Sequence, residues 1–274
     1  MKRYILIKIC FVLIVAIFSP MVSVENNVAN VVKPVGFDGG GRYTCIAFEP
    51  GNQNVIYIGS DVAGFFRSDD GGESFQVLGK ELDGFAVASI AVDQRFPSRV
   101  AVLTDRGLYI SEDKGETLTL IDRQISYKKR FFGSGLLFFQ KGEILAGTSS
   151  SAVYRVVLTG DSYLVEKLQP LIDEAVTNTM VLYDSKLIVG TDKGCLGKKE
   201  QGWVKFNDGL PQNPLEIMEL KVSPAGELYL LEKMSGLYRF DVFDEAWVKI
   251  GRLKKEKPWQ EKPFHKSFEI VGPR

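Results

Sequence analysis

Ser68-Asp69-Asp70-Gly71-Gly72-Glu73-Ser74-Phe75 reads S-x-D-x-G-x-x-aromatic, and Ser111-Glu112-Asp113-Lys114-Gly115-Glu116-Thr117-Leu118 returns 43 residues later in the same phase. One such octapeptide is a polar turn. Two, with similar apolar segments around each, mark a repeat. Working outward, a strand ending in a Gly-Thr-Asp-like turn recurs at Ile56–Asp61, Ala101–Asp105, Ile144–Ser149 and Leu187–Asp192, with an eroded copy at Leu228–Lys233. Taking Gly59, Leu103, Gly147, Gly190 and Leu231 as equivalents, the steps are 44, 44, 43 and 41 residues.

Each copy then runs into a small residue and a further strand, as in Gly64-Phe65-Phe66-Arg67 and Gly107-Leu108-Tyr109-Ile110. It closes on an apolar residue at Phe75, Leu118, Tyr163, Trp203 and Trp247, and opens on near-continuous apolar runs such as Thr44–Phe48, Ala88–Val92 and Thr179–Tyr183. Such runs suit strands covered on both faces. A period in the low forties with four short strands per unit is that of propeller blades. The expected fold is therefore all-β, a small β-propeller of five four-stranded blades over residues 34–251.

The flanks read differently. Residues 1–24 carry Lys2, Arg3 and Lys8, then the apolar run Ile9–Phe18 broken by Pro20, the pattern of a secretory signal peptide. The apolar stretch is also nearly long enough for a retained membrane anchor, and both readings stand. Residues 25–33 form a short extension. Residues 252–274 are rich in Lys and Pro with Trp259 and Phe264 among the charges, an extended tail or a segment laid on the propeller rim.

Lys plus Arg equals Asp plus Glu at 34 each, so no global field favours nucleic acid or an anionic surface. The single histidine, His265, disfavours His-based metal sites and His-dependent triads. No carboxylate cluster resembles a calcium loop, and the reading names no cofactor and no metal. Cys45 and Cys195 fall in blades one and four, too far apart in the repeat for a bridge, and read as two free thiols.

The octapeptides resemble Asp boxes of the bacterial-neuraminidase-repeat superfamily, a group similar to sialidases, xyloglucanase-type glycosidases, sortilin-like receptors and photosystem II assembly factors. Ser68, Asp70, Gly72 and Phe75 match in full; Ser111, Asp113 and Gly115 match, with Leu118 replacing the aromatic. Blade three keeps Gly160 and Tyr163, and the last two blades keep Trp203 and Trp247. The resemblance implies a turn between third and fourth strands, away from the usual binding face, so Asp70 and Asp113 are read as structural.

A functional face then collects the lead-ins to the first strands and the turns between second and third strands. It brings together Arg42, Tyr43, Asp61, Asp105, Arg106, Arg130, Asp192 and Lys193. Convergent polar groups in a concavity are the default binding site, although Asp before Gly is also an ordinary turn former. Gly59–Arg67 resembles the Thr-Asp-x-Gly-Gly-x-Tyr-Arg segment of xyloglucanase-type glycosidases, carrying over Asp61 alone. An inverting glycosidase needs a second carboxylate about 6.5–9.5 Å away, for which Asp105 and Asp192 are the candidates. A sialidase-type arginine triad lacks its Arg-Ile-Pro segment. The expected role is an exported, monomeric, non-enzymatic module that binds a protein or glycan at the propeller mouth, with a membrane tether through residues 1–24 and assistance in assembling an envelope complex as further expectations; the alternative is a glycoside hydrolase built on Asp61, Asp105 or Asp192.

Overall fold

The computed structural model describes residues 41–128, 136–160, 162–168, 171–212 and 215–251. Twenty strands fall into five four-stranded antiparallel sheets, each made from four consecutive strands in meander order. Blade one holds β1 (Tyr43–Glu49), β2 (Asn52–Ser60), β3 (Phe65–Ser68) and β4 (Gln76–Leu78). Blade two holds β5 (Val87–Val92), β6 (Val100–Thr104), β7 (Leu108–Ser111) and β8 (Thr119–Asp122). Blade three holds β9 (Leu137–Gln140), β10 (Glu143–Gly147), β11 (Val153–Thr159) and β12 (Ser162–Lys167). Blade four holds β13 (Thr177–Tyr183), β14 (Lys186–Thr191), β15 (Gly194–Lys199) and β16 (Gly202–Lys205). Blade five holds β17 (Ile217–Val222), β18 (Leu228–Glu232), β19 (Gly236–Asp241) and β20 (Ala246–Gly251). The only helical turns among the described residues are 3₁₀, at Lys80–Leu82 and Ile172–Glu174. The chain is a five-bladed β-propeller.

Alternation along each strand sends one set of side chains to the preceding blade and the other to the next. The buried clusters follow that rule. Val55, Tyr57 and Phe65 of blade one pack on Val87, Val102 and Tyr109 of blade two. Leu103, Leu108 and Ile110 pack on Ile144 and Tyr154 of blade three. Leu145 and Val153 pack on Met180, Leu196 and Trp203 of blade four, and Ile188 and Cys195 on Ile217, Leu230 and Trp247 of blade five. The residue that closes the repeat in blades two to five, Leu118, Tyr163, Trp203 or Trp247, thus packs in the wedge toward the blade before it. Among the described residues no buried apolar cluster joins blade five to blade one, and Ile46 and Phe48 of β1 are 59% and 54% exposed.

The first strands of blades one, two, four and five share one irregularity near their start, a register shift across Tyr43/Cys45, Val87/Ser89, Thr177/Thr179 and Ile217/Glu219. A bulge of this kind re-aims the extra side chain. In two blades it reaches the next one: Thr44 Oγ1 donates to the Val87 carbonyl, and Asn178 Nδ2 to the Ile217 carbonyl at 2.9 Å.

The two octapeptides form the β3–β4 and β7–β8 turns with one bonding scheme. Ser68 Oγ accepts from the Gly72 amide at 2.8 Å, and Asp70 Oδ1 accepts from the Ser74 amide at 2.9 Å. Ser111 Oγ accepts from Gly115 at 2.7 Å and Asp113 Oδ1 from Thr117 at 2.9 Å. Gly115 has φ of +93°, and an added Cβ would stand 2.5 Å from the Phe65 ring, so the turn of blade two seats itself directly on blade one.

Candidate functional site

The ends of the blades that carry the first-strand lead-ins and the second-to-third-strand turns are built from one repeated device. At the ends of β2, β6 and β14 and just after β10, a hydroxyl at Ser60, Thr104, Thr191 or Thr148 closes the turn on itself. Thr104, Thr148 and Thr191 donate to the Gly107, Ala152 and Gly194 carbonyls at 2.9, 2.9 and 2.7 Å, while Ser60 Oγ accepts from the Val62 and Ala63 amides.

The next residue ties the turn to the lead-in of its own blade. The Arg42 amide donates to Asp61 Oδ1 at 2.7 Å, the Ala86 amide to Asp105 Oδ1 at 3.1 Å, and the Val176 amide to Asp192 Oδ1 at 2.8 Å. The bond is returned: the amides of Asp61, Asp105 and Asp192 donate to the carbonyls of Arg42, Ala86 and Val176. Blade three keeps half of the device, with the Lys128 amide donating to Ser149 Oγ at 2.9 Å. Blade five replaces it with an ion pair, Lys233 Nζ to Glu216 Oε2 at 2.6 Å, beside the same backbone bond from Lys233 to the Glu216 carbonyl. The structure therefore places Asp61, Asp105 and Asp192 at equivalent points of three blades, each with one carboxylate oxygen committed to a backbone amide.

The cationic and aromatic candidates are placed as follows. Arg106 lies 4.2 Å over the Phe85 ring, a cation–π contact within its own blade. Tyr43 is half exposed and meets Phe66 edge-on at 6.4 Å. Lys193 donates to the Asp173 carbonyl, and Lys205 reaches the Asp173 carboxylate at 3.4 Å. Arg42 is exposed at the start of the described chain. Arg130 lies outside the described residues, as do residues 1–40 and 252–274.

Two features of this end were not read from the sequence. Glu232 occupies the hydroxyl position of blade five at 0% exposure, where Oε2 accepts from the Met234 amide at 2.9 Å and Oε1 has no partner. Its signal was present, since Leu230-Leu231-Glu232-Lys233 aligns with Val189-Gly190-Thr191-Asp192, but a buried carboxylate is not what that alignment suggests. Tyr127, fully buried, donates to the Thr177 carbonyl of blade four at 3.1 Å. Burial, together with the charges of Asp192 and Glu216, pushes its phenol above the ordinary tyrosine range.

Cys45 and Cys195 are free thiols; burial pushes Cys45 up to about 12 and raises Cys195 as well. Among the described residues no group of three His, Cys, Asp or Glu side chains converges as a metal site would require.

No family model matches the chain, and no curated protein does. Solved structures do. The GH74 xyloglucanase from Xanthomonas campestris superposes with a TM-score of 0.65 at 16% identity, over 84% of this chain and 40% of its own. YCF48 from Cyanidioschyzon merolae gives 0.54 at 13% identity, over 76% of this chain and 69% of its own. The extracellular domain of a hybrid two-component system from B. thetaiotaomicron gives 0.58 at 14% identity, over 81% of this chain and 30% of its own. An ancestral GH74 enzyme is covered over 32% of its length, so the chain spans about a third of it. At these identities the likeness establishes the propeller fold.

Proposed function

We propose that this protein is an exported, non-enzymatic β-propeller that binds a protein or glycan partner through the mouth formed by Arg42, Tyr43, Asp61, Asp105, Arg106, Arg130, Asp192 and Lys193, as a scaffold or assembly module. The observation that carries the reading is the reciprocal bond between each aspartate and its lead-in. A carboxylate that accepts a backbone amide and whose own amide is bonded in return acts as a fastener, and a rim of fastened loops is a rigid recognition surface. Proton transfer would instead call for a carboxylate facing a partner group across an open gap.

Two kinds of relative support the reading. YCF48 is known in a form bound to D1 peptide, so a propeller of similar fold can hold a peptide. The B. thetaiotaomicron relatives are extracellular domains, in keeping with the signal-like residues 1–24. The glycosidase reading, with Asp61 and either Asp105 or Asp192 as the carboxylate pair, rests on the likeness to GH74 propellers, of which this chain spans well under half.

The test is a capture experiment on the exported fraction with the full chain and with the Arg42→Ala, Arg106→Ala, Arg130→Ala triple variant. The expected outcome is a partner retained by the parent and lost by the variant at unchanged melting temperature. Equal capture by both would remove the mouth from the reading. Hydrolysis of xyloglucan oligosaccharides by the parent, abolished by Asp61→Asn, would replace it with the enzyme.

A further inference from the structure

The register of the blades puts a charged layer on the side of each one that faces its successor. Counting two residues from the aligned Gly59, Leu103, Gly147, Gly190 and Leu231, the cross-strand pairs are Tyr57–Arg67, Ala101–Ile110, Leu145–Arg155, Ile188–Gly197 and Tyr229–Arg239. Three blades place an arginine there, and each is neutralised. Arg67 meets Asp69 at 3.0 Å and Glu116 of the next blade at 3.1 Å. Arg155 meets Glu166 at 3.0 Å, and Arg239 meets Glu227 at 3.3 Å. Blade two, with Ile110 at this point, carries the pair two residues outward, Arg99 to Glu112 at 2.8 Å.

Blade four breaks the pattern twice. Its arginine position is Gly197, where an added Cβ would meet nothing closer than Ile188 Cδ1 at 3.6 Å. Extending that ladder two residues beyond Ile188–Gly197 brings Lys186, the first residue of β14, opposite Lys199, the last of β15, at the level where blade two sets Arg99 beside Glu112. Like charges directly opposed across a sheet are destabilising, and among the described residues no acidic side chain forms an ion pair with either lysine. Blade five also lacks the Asp-box turn that, in blade two, fills the wedge against blade one. What remains between blades four and five is a cleft of about 1320 Å³, lined by both lysines, Gly197, Tyr183, Phe206 and Phe240. Its rings already touch one another, Phe206 tilted at 38° to Phe240 with centroids 4.6 Å apart and Tyr183 edge-on to Phe240 at 6.1 Å. It opens beside the Asp184 and Gly226 turns, at the blade ends opposite the mouth.

We propose that this cleft is a second binding site, which takes an extended polypeptide segment presenting a carboxylate next to an apolar side chain. The carboxylate sits over Gly197 between Lys186 and Lys199, supplying the negative charge that acidic residues supply in the other blades. The apolar neighbour packs on the Tyr183, Phe206 and Phe240 rings. The volume exceeds the roughly 300–1,000 Å³ of ordinary small-ligand pockets. Lys198 and Lys205 also line the cleft, and Asp184, Glu200, Asp208 and Glu245 balance the four lysines, so a nucleic acid or an anionic membrane finds no net attraction there, whereas a polypeptide of mixed charge is a good fit.

The experiment is selection of a random-peptide display library on the full chain, with affinities of the enriched synthetic peptides read by fluorescence anisotropy. The expected result is enrichment of Asp or Glu adjoining an apolar residue. Binding falls at least tenfold with the Lys186→Glu, Lys199→Glu double variant, with Gly197→Arg, and when the peptide carboxylate becomes an amide, while Arg42→Ala leaves it unchanged. That last arm separates this site from the mouth. If Gly197→Arg fails to fold by circular dichroism, the exposed lysine pair decides alone. No enrichment, peptides indifferent to the lysine variant, or a lysine-dependent preference for neutral oligosaccharides would each overturn the proposal.

Discussion

The Arg42 amide donates to Asp61 Oδ1 at 2.7 Å while the Asp61 amide donates back to the Arg42 carbonyl at 3.0 Å, closing a two-bond ring between a lead-in and a turn 19 residues apart. The same ring recurs at Ala86–Asp105 and Val176–Asp192. Asp105→Ala removes the side-chain half and leaves the Ala86 amide without its acceptor, so stability falls by about 1 kcal/mol. Asp105→Asn keeps an acceptor oxygen and costs less. Urea unfolding of the two variants checks the order; equal losses would show that the charge, not the bond, matters.

Ser111 is 2% exposed, accepts from the Asp113 and Gly115 amides and donates to Asp113 Oδ1 at 2.7 Å. Ser111→Ala strands buried donors and is expected to cost about 1–3 kcal/mol. Ser68→Ala should cost less, because the Gly72 amide it accepts from is half-buried whereas the Gly115 amide is buried. A smaller loss at Ser111 than at Ser68 in thermal unfolding would contradict this account.

Hydrogen bonds from the Ser74 hydroxyl and amide and from Ser68 hold the Asp70 carboxyl at about 2, below its ordinary 3.8. At Asp113 burial pushes upward, but the Thr117 amide, Ser111 and the Thr117 hydroxyl outweigh it and the net shift is downward. Both groups have folded values below their unfolded ones, so the unfolded chain binds more protons in this range and stability rises with pH through it. Their contribution is complete above about pH 4 and is lost as pH falls toward 2. The Asp70→Asn, Asp113→Asn double variant should show a shallower fall in melting temperature over that interval than the parent, and an unchanged slope would count against the assignment.

Gly209 has φ of +84°, and a Cβ there would stand 2.1 Å from the Trp247 carbonyl oxygen. The Trp247 amide donates to the Asp208 carbonyl at 2.7 Å and its indole to the Phe206 carbonyl at 2.8 Å, so the backbone of blade five cannot withdraw without losing bonds. Gly209→Ala is therefore expected to destabilise by more than about 2 kcal/mol. Calorimetry of the full chain measures it.

In a Cys10→Ser form the remaining thiols, Cys45 pushed up to about 12 and Cys195 raised by burial, should not react with a disulfide reagent at pH 8 until the chain unfolds. Two thiols should then appear together. Rapid labelling of the native protein would place one of them at the surface.

Much of the fold could be read from residue order. The Asp boxes, the Gly-Thr-Asp-like turns and the step of 41 to 44 residues located all five blades, and the aligned Gly59, Gly147 and Gly190 fall at equivalent ladder positions. The candidate mouth was legible as a set of loops, because strand alternation decides which turns share an end of the sheet. Its bonding was not. That Asp61 accepts from Arg42 depends on the path of a lead-in whose residues carry no pattern of their own. Glu232 was hidden for another reason: a charged residue in an eroded repeat reads as decay, and only its burial marks it out.

Repetition of short apolar strands and polar turns determined, from the sequence alone, that this chain stacks five sheets and which side of each strand faces a neighbour. Tertiary structure decided what each face meets. Arg67 and Glu116 are 49 residues apart and become a pair only when blade two swings against blade one. Gly197 is an unremarkable residue in a strand until Lys186, Lys199, the Tyr183 and Phe206 rings and the Phe240 ring of blade five surround the space that its missing side chain leaves. Local periodicity reports the direction of a side chain, whereas charge balance and empty volume belong to pairs of blades and exist only once they are packed.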